Sequence, residues 1–166
     1  IDGQNVLIIP MHYNDQIVSY QRIFPMRLPD GTNKRFLKGG RKRGCYHPIG
    51  NKGTGDLGIC EGFATGASIH EATGDDVIVA FDAGNLLPVA RAMRDKYPDR
   101  KFIFWADDDR DRVDRNGNPE NIGIIKATEA AQAVNGHLAV PDFGPNRPEG
   151  ATDFNDLYQM MKGGKQ

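Results

Sequence analysis

No apolar run in the chain approaches the roughly 20 residues that a membrane-spanning helix needs, so nothing in the sequence reads as a membrane segment. Cysteine is scarce. Cys45 and Cys60 are the only two, too few for a disulfide framework, and this usage fits a reducing cytoplasm. Cys45-Tyr46-His47 offers half of a zinc site, but no second pair of ligands follows. Glycine is plentiful in Gly50–Gly55, yet no Gly-Lys-Ser/Thr opens a helix after it, which excludes a P-loop. The turn Glu61–Gly66 lacks the Gly-x-Gly-x-x-Gly fingerprint and argues against a dinucleotide-binding domain. No Ser-His-Asp order points to nucleophilic catalysis, and His12, His47, His70 and His137 have no partners at ligand spacing. There is no signal-peptide pattern, internal repeat or low-complexity segment. The opening Ile-Asp-Gly-Gln, without Met, suggests a piece of a longer protein.

What is present begins with a split in charge. The 166 residues are 39% apolar, enough for one domain with a real core, or one domain and a small appendage. The net charge of -1 conceals eight Lys or Arg between Arg27 and Lys52, and five Asp against two Arg between Asp107 and Asp114. A basic patch beside an acidic pocket suggests a polyanionic partner and a metal site; two solvated surface loops would look the same on charge alone.

The Gly50–Gly55 connector divides the chain into residues 1–55 and 56–166. Before it the pattern is β. Val6–Pro10, Ile17–Phe24 and Arg35–Leu37 read as strands, separated by turn signals at Asn14-Asp15 and Pro29-Asp30-Gly31-Thr32. After it, short apolar strands at Leu57–Cys60, Val77–Phe81, Phe102–Trp105 and His137–Val140 alternate with helices. The helices fall at Ala64–Ala72, Leu86–Tyr97 and Asn121–Asn135, with a last one from about Asn155 to Met161. This alternation predicts an α/β domain with a parallel sheet of four strands covered on both faces.

Ligands of such a sheet sit beyond the carboxyl ends of its strands. There the sequence puts Glu61, Asp82 and Asp107-Asp108-Asp109, with Asp153-Phe154-Asn155-Asp156 further on. Alternation in extended chain turns Asp107 and Asp109 to one side and Asp108 to the other. Two carboxylates there and a third from a neighbouring strand would suit Mg²⁺ or Mn²⁺. The competing readings are surface pairing of the aspartates with Arg110 and Arg112, and a helix-capping role for Glu61.

Ile59-Cys60-Glu61-Gly62, Asp107-Asp108-Asp109 and Asp153-Phe154-Asn155-Asp156, in this order and each near a strand end, resemble the Toprim domain. That module serves bacterial-type primases, type IA and type II topoisomerases, some nucleases and recombination proteins. The resemblance runs from about Leu57 to Leu157. It implies a Rossmann-like sheet flanked by helices, here preceded by a small β-rich subdomain. Asp30–Leu37, Gly39–Gly44 and Glu-Gly-x-Ala-Thr-Gly at Glu61–Gly66 are similar to phage and plasmid primases, including those of plasmid transfer.

The resemblance implies a nucleotidyltransferase that makes RNA primers from ribonucleotides on single-stranded DNA. It implies catalytic roles for Glu61, Asp107 and Asp109, a metal set of these with Asp153 and Asp156, and Mg²⁺ or Mn²⁺ as cofactor. It assigns nucleic-acid and nucleotide phosphates to Lys34, Lys38, Lys42 and Arg43. A helicase or zinc-binding domain is expected elsewhere in the longer protein, since neither is in this sequence. A nuclease or topoisomerase fragment and a non-catalytic nucleic-acid-binding module are the rival readings. Residues 111–120 are longer than the motif needs and point to no function.

Overall fold

The structure, a computed structural model, describes residues 5–163. Two sheets make up the fold. The first is antiparallel, in the order β1 (Leu7–Tyr13), β2 (Gln16–Ile23), β3 (Lys34–Phe36). Asn14 and Asp15 join β1 to β2 with φ of 49° and 63°, the left-handed pair that a two-residue hairpin turn needs and that these residue types tolerate. The register shifts at Met11 and His12, which pair with Ser19 and Ile17, so Val18 bulges from β2.

The second sheet carries β4 (His47–Ile49), β5 (Leu57–Cys60), β6 (Asp76–Val79), β7 (Phe102–Trp105) and β8 (His137–Ala139) in the order β4-β6-β5-β7-β8. The four strands read from the sequence are parallel, as expected. The sheet nevertheless has five strands and is mixed, because β4 adds antiparallel to β6. His-Pro-Ile is too short to show a period, and its proline sits on an edge strand, where no ladder amide is required. β4 thus takes a piece of the segment before the connector into the second sheet.

Alternation along the strands separates two cores. Leu57, Ile59, Phe102 and Phe104 face α2 (Ala83–Lys96) and α3 (Ile122–Ala133), meeting Leu86, Val89, Met93, Ala127 and Ala130. Cys60, Val77 and Val79 face α1 (Phe63–Thr73) and, with Ile9 and Met11 of β1, close the other layer. α4 (Phe154–Gly163) joins that layer through Phe154, edge-on to Trp105 at 4.8 Å. Gly66 of α1 lies against β6, where a Cβ would come 2.9 Å from Val79 Cγ2. Below the sheet, Asp76 accepts the amides of Lys52 and Gly53 at 2.9 Å each, and Arg100 closes the pair at 3.1 Å. This buried clamp fixes the glycine-rich connector.

Chain direction decides where a ligand can sit. From β5 the chain crosses to β6 on one side, then returns past β5 to β7 and β8 on the other. The strand order therefore reverses between β5 and β7, and the crevice of an open α/β sheet lies at that point.

Candidate functional site

Glu61 follows β5, and Asp107 and Asp109 follow β7, on the two sides of this switch point. Burial pushes Asp107 up to about 8, helped by the charges of Glu61, Asp153 and Asp109 and opposed by Lys34. Burial likewise raises Glu61 to about 7, with Asp109 and Asp82 adding to it and Arg112 and the Ala83 amide opposing. The four sequence-derived acids Glu61, Asp107, Asp109 and Asp153 therefore share one neighbourhood and repel one another. Glu61 Oε1 and Asp107 Oδ1 are buried without a hydrogen-bond partner. Gly62 is the N-cap of α1, and the Ala83 amide at the start of α2 acts on the Glu61 carboxylate. The capping role considered for Glu61 is thus not the one it takes.

Asp82 joins this group, and the sequence reading did not assign it. Phe81, just before it, has φ 74°, a left-handed conformation that is costly for a bulky residue and often marks functional sites. Asp82 occupies the N-cap position of α2 yet makes no capping bond with its side chain. It meets Lys42 Nζ at 2.7 Å instead, and Lys42 also lies 4.9 Å from the Phe36 ring centre. Of the predicted phosphate-binding residues, Lys42 thus reaches the acidic edge, and Lys34 acts on it through its charge. Lys38 is exposed and forms no ion pair among the described residues. Arg43 points elsewhere. With Arg41 and Tyr13 it lines a cleft of about 630 Å³ between the β1–β2 hairpin and α2.

Asp153 and Asp156 have different tasks. The Asp156 amide donates to Asp153 Oδ1 at 2.9 Å, while Asp156 Oδ2 accepts the amides of Thr152 at 2.8 Å and Asp153 at 3.3 Å. This is a reciprocal capping box at the start of α4. It holds Asp153 beside Asp107, with Thr65 Oγ1 donating to its Oδ2 at 2.9 Å. Asp156 is turned into the helix end. Asn155 accepts from Ser68 Oγ at 3.0 Å and docks α4 on α1.

Asp108 faces away from Asp107 and Asp109, as alternation predicts. Arg110 pairs with Asp108, and Arg112 reaches Asp109 at 3.3 Å, so the surface pairing considered for these arginines occurs alongside the acidic cluster. Residues 111–120 form a small closed hairpin, bridged at Val113 and Pro119 and tied by Asp114 to the amides of Asn116 and Asn118. Gly123 was also missed. A Cβ there would stand 2.2 Å from the Asp107 carbonyl oxygen, so only glycine lets α3 approach the aspartate loop so closely. Cys45 donates to the Arg41 carbonyl at 3.5 Å, and His47 Nδ1 meets the Pro10 carbonyl at 3.0 Å.

Among the described residues, no group of three or more His, Cys, Asp or Glu side chains is already drawn together closely enough to hold a metal ion. The acids line an open edge with unpartnered oxygens. That fits Mg²⁺ or Mn²⁺, which takes one or two carboxylates and completes its shell with water and substrate phosphate.

A five-stranded sheet in this order, with acids at its switch point, defines the class. Residues 56–164 match the Toprim domain, and the chain belongs to the Toprim family. It is similar to two Escherichia coli proteins, each called DNA primase TraC. Identity is 47% over 120 residues with one and 44% over 121 residues with the other, in both cases 70% of this chain. The matched stretches are 8% and 11% of those proteins, so the chain spans about a tenth of the length of the curated relatives it matches. No solved structure matches it significantly. Among the described residues, no helix is long and apolar enough to cross a membrane.

Proposed function

We propose that this chain is the metal-dependent catalytic module of a DNA primase, which joins ribonucleotides into an RNA primer on single-stranded DNA in the cytoplasm. The observation that carries the reading is the meeting of Glu61, Asp107, Asp109 and Asp153 at the switch point, with two of their buried oxygens unpartnered. The likeness to proteins called DNA primases selects primer synthesis from the reactions such a site supports.

Asp107, Asp109 and Glu61, with Asp153 alongside, would hold Mg²⁺ or Mn²⁺, which would supply positive charge to favour nucleotidyl transfer. Glu61, raised towards neutrality, takes or gives a proton at the same place. Lys34 and Lys42 draw the nucleotide phosphates to the acidic edge. Lys38 and Arg43, exposed on neighbouring loops, extend the basic surface towards the template. Such contacts give affinity and steep salt dependence but no sequence choice. Asp156 serves the site by capping α4 and so holding Asp153. Residues 1–55 form the basic platform and 56–166 the catalytic domain, joined where β4 enters the second sheet. A helicase or zinc-binding domain of the longer protein would supply template recognition.

The longer protein that carries this chain, given single-stranded DNA, ribonucleotides and Mg²⁺, is expected to make RNA primers. Loss of product on Asp107→Asn/Asp109→Asn supports the reading. DNA cleavage without nucleotides, and no primer, would instead assign the site to nuclease or topoisomerase chemistry.

A further inference from the structure

Asp108 lies between the two aspartates assigned to the metal, and its own surroundings are cationic. It is 3% exposed and its carboxylate is saturated. Asn121 Nδ2 donates to Oδ1 at 2.7 Å, and the guanidinium groups of Arg110 and Arg147 both meet Oδ2. Arg147 also binds main chain. It donates to the Asp108 carbonyl at 2.8 Å and to the Ala151 carbonyl at 2.7 Å, and its guanidinium carbon lies 4.8 Å from the Phe143 ring centre. Beside it the Asp108 amide donates to the Thr152 carbonyl at 2.7 Å. One side chain therefore ties the end of β7 to the segment that delivers Asp153. Asn121 ties a third element, since its Oδ1 accepts from the Asp109 amide at 3.0 Å and the Ile124 amide at 3.3 Å.

We infer that Arg147, acting through Asp108, is a positioning residue that holds the Asp107–Asp109 pair against Asp153 and so sets the affinity for a divalent cation. The inference rests on the metal reading proposed above. The acids repel one another, so something behind them must resist their separation. The Arg147–Asp108–Asn121 network is centred on a buried carboxylate, multiply bonded and attached to the backbone at Asp108, Asp109 and Ala151. Partners behind a ligand set of this kind usually govern metal affinity about 10–100-fold.

Mn²⁺ affinity by electron paramagnetic resonance tests this on the wild type, Arg147→Gln, Arg147→Lys and Arg94→Gln. Arg94 is a matched control. It anchors the opposite end of the sheet through the carbonyls of Val134, Pro98 and Arg100. Arg147→Gln is expected to keep its circular dichroism spectrum and lose at least about tenfold in Mn²⁺ affinity. Arg147→Lys should recover part of the loss, and Arg94→Gln should lower the melting temperature without changing affinity. Should Arg147→Gln fail to fold, Asp108→Asn carries the same expected loss. No Mn²⁺ binding by the wild type overturns the metal reading and this inference with it. Wild-type binding with Arg147→Gln unchanged, or Arg94→Gln equally impaired, overturns this inference alone.

Discussion

Gly123→Ala is expected to lower stability by about 3 kcal/mol and the melting temperature by roughly 6–12 °C. The added methyl would stand 2.2 Å from the Asp107 carbonyl oxygen, 3.0 Å from its carbon and 3.1 Å from its Cβ. These are mostly backbone atoms, so no rotamer change relieves the contact. The first turn of α3 is pinned as well, because Asn121 holds both the Asp109 and Ile124 amides. Either the helix start or Asp107 must move, and Mn²⁺ affinity should fall about 10–100-fold. Gly136→Ala separates packing from function. Its Cβ would stand 2.8 Å from the Phe104 ring, away from the acids, and it should cost stability with no loss of affinity. Thermal unfolding with and without Mn²⁺ reads both effects. A Gly123→Ala protein that melts and binds like the wild type would contradict the packing described for α3.

The second large effect is one of pH. Asp107 and Glu61 hold their protons in the folded chain to about 8 and about 7, well above ordinary carboxylates. Between the ordinary values and these, the folded state binds protons that the unfolded chain has released. Stability from these groups is therefore fully present below about pH 4 and is lost as pH rises through about 8. The metal-free protein should melt lower at pH 8 than at pH 5.5, and Asp107→Asn should flatten that slope. One pKa unit corresponds to about 1.4 kcal/mol. Allowing for relaxation at an open sheet edge, Asp107→Asn should stabilise the metal-free protein at pH 8 by about 2 kcal/mol, or roughly 4–8 °C. Saturating Mn²⁺ should reverse the order, stabilising the wild type by linkage and leaving the variant unchanged. A pH-independent melting temperature in the wild type would remove the argument for crowded carboxylates.

The strands that build the site were legible because they are short, apolar and bounded. Phe102–Trp105 was read with its bounds intact, and the helix read from Asn121 begins there, with Asn121 as its cap. The meeting of Glu61 with Asp107 and Asp109 followed from the rule that parallel strands deliver their ends to one edge. β4 was not legible, since a three-residue edge strand has no period and its pairing with β6 is decided by tertiary contact. Asp156 was read into the metal set because Asp-x-x-Asp suits a metal set and a capping box alike, and its amide geometry shows the capping box. Asp82 stood at a strand end and carried the same signal as Glu61, but its sequence neighbourhood does not reveal the left-handed turn at Phe81. Arg147 lies 39 residues from its partner Asp108, beyond any local pattern. Gly123 gave a weak signal, a glycine inside a helix start, which often marks a close backbone approach.

The most direct test of a divalent-metal site at this sheet edge is a calorimetric Mn²⁺ titration of the wild type and of Asp107→Asn/Asp109→Asn, repeated with template and nucleotide. Binding by the wild type, and none by a variant that folds, is the expected result. Equal behaviour of the two proteins under both conditions would contradict it, leaving the acids as a repulsive strand end with no cation to hold.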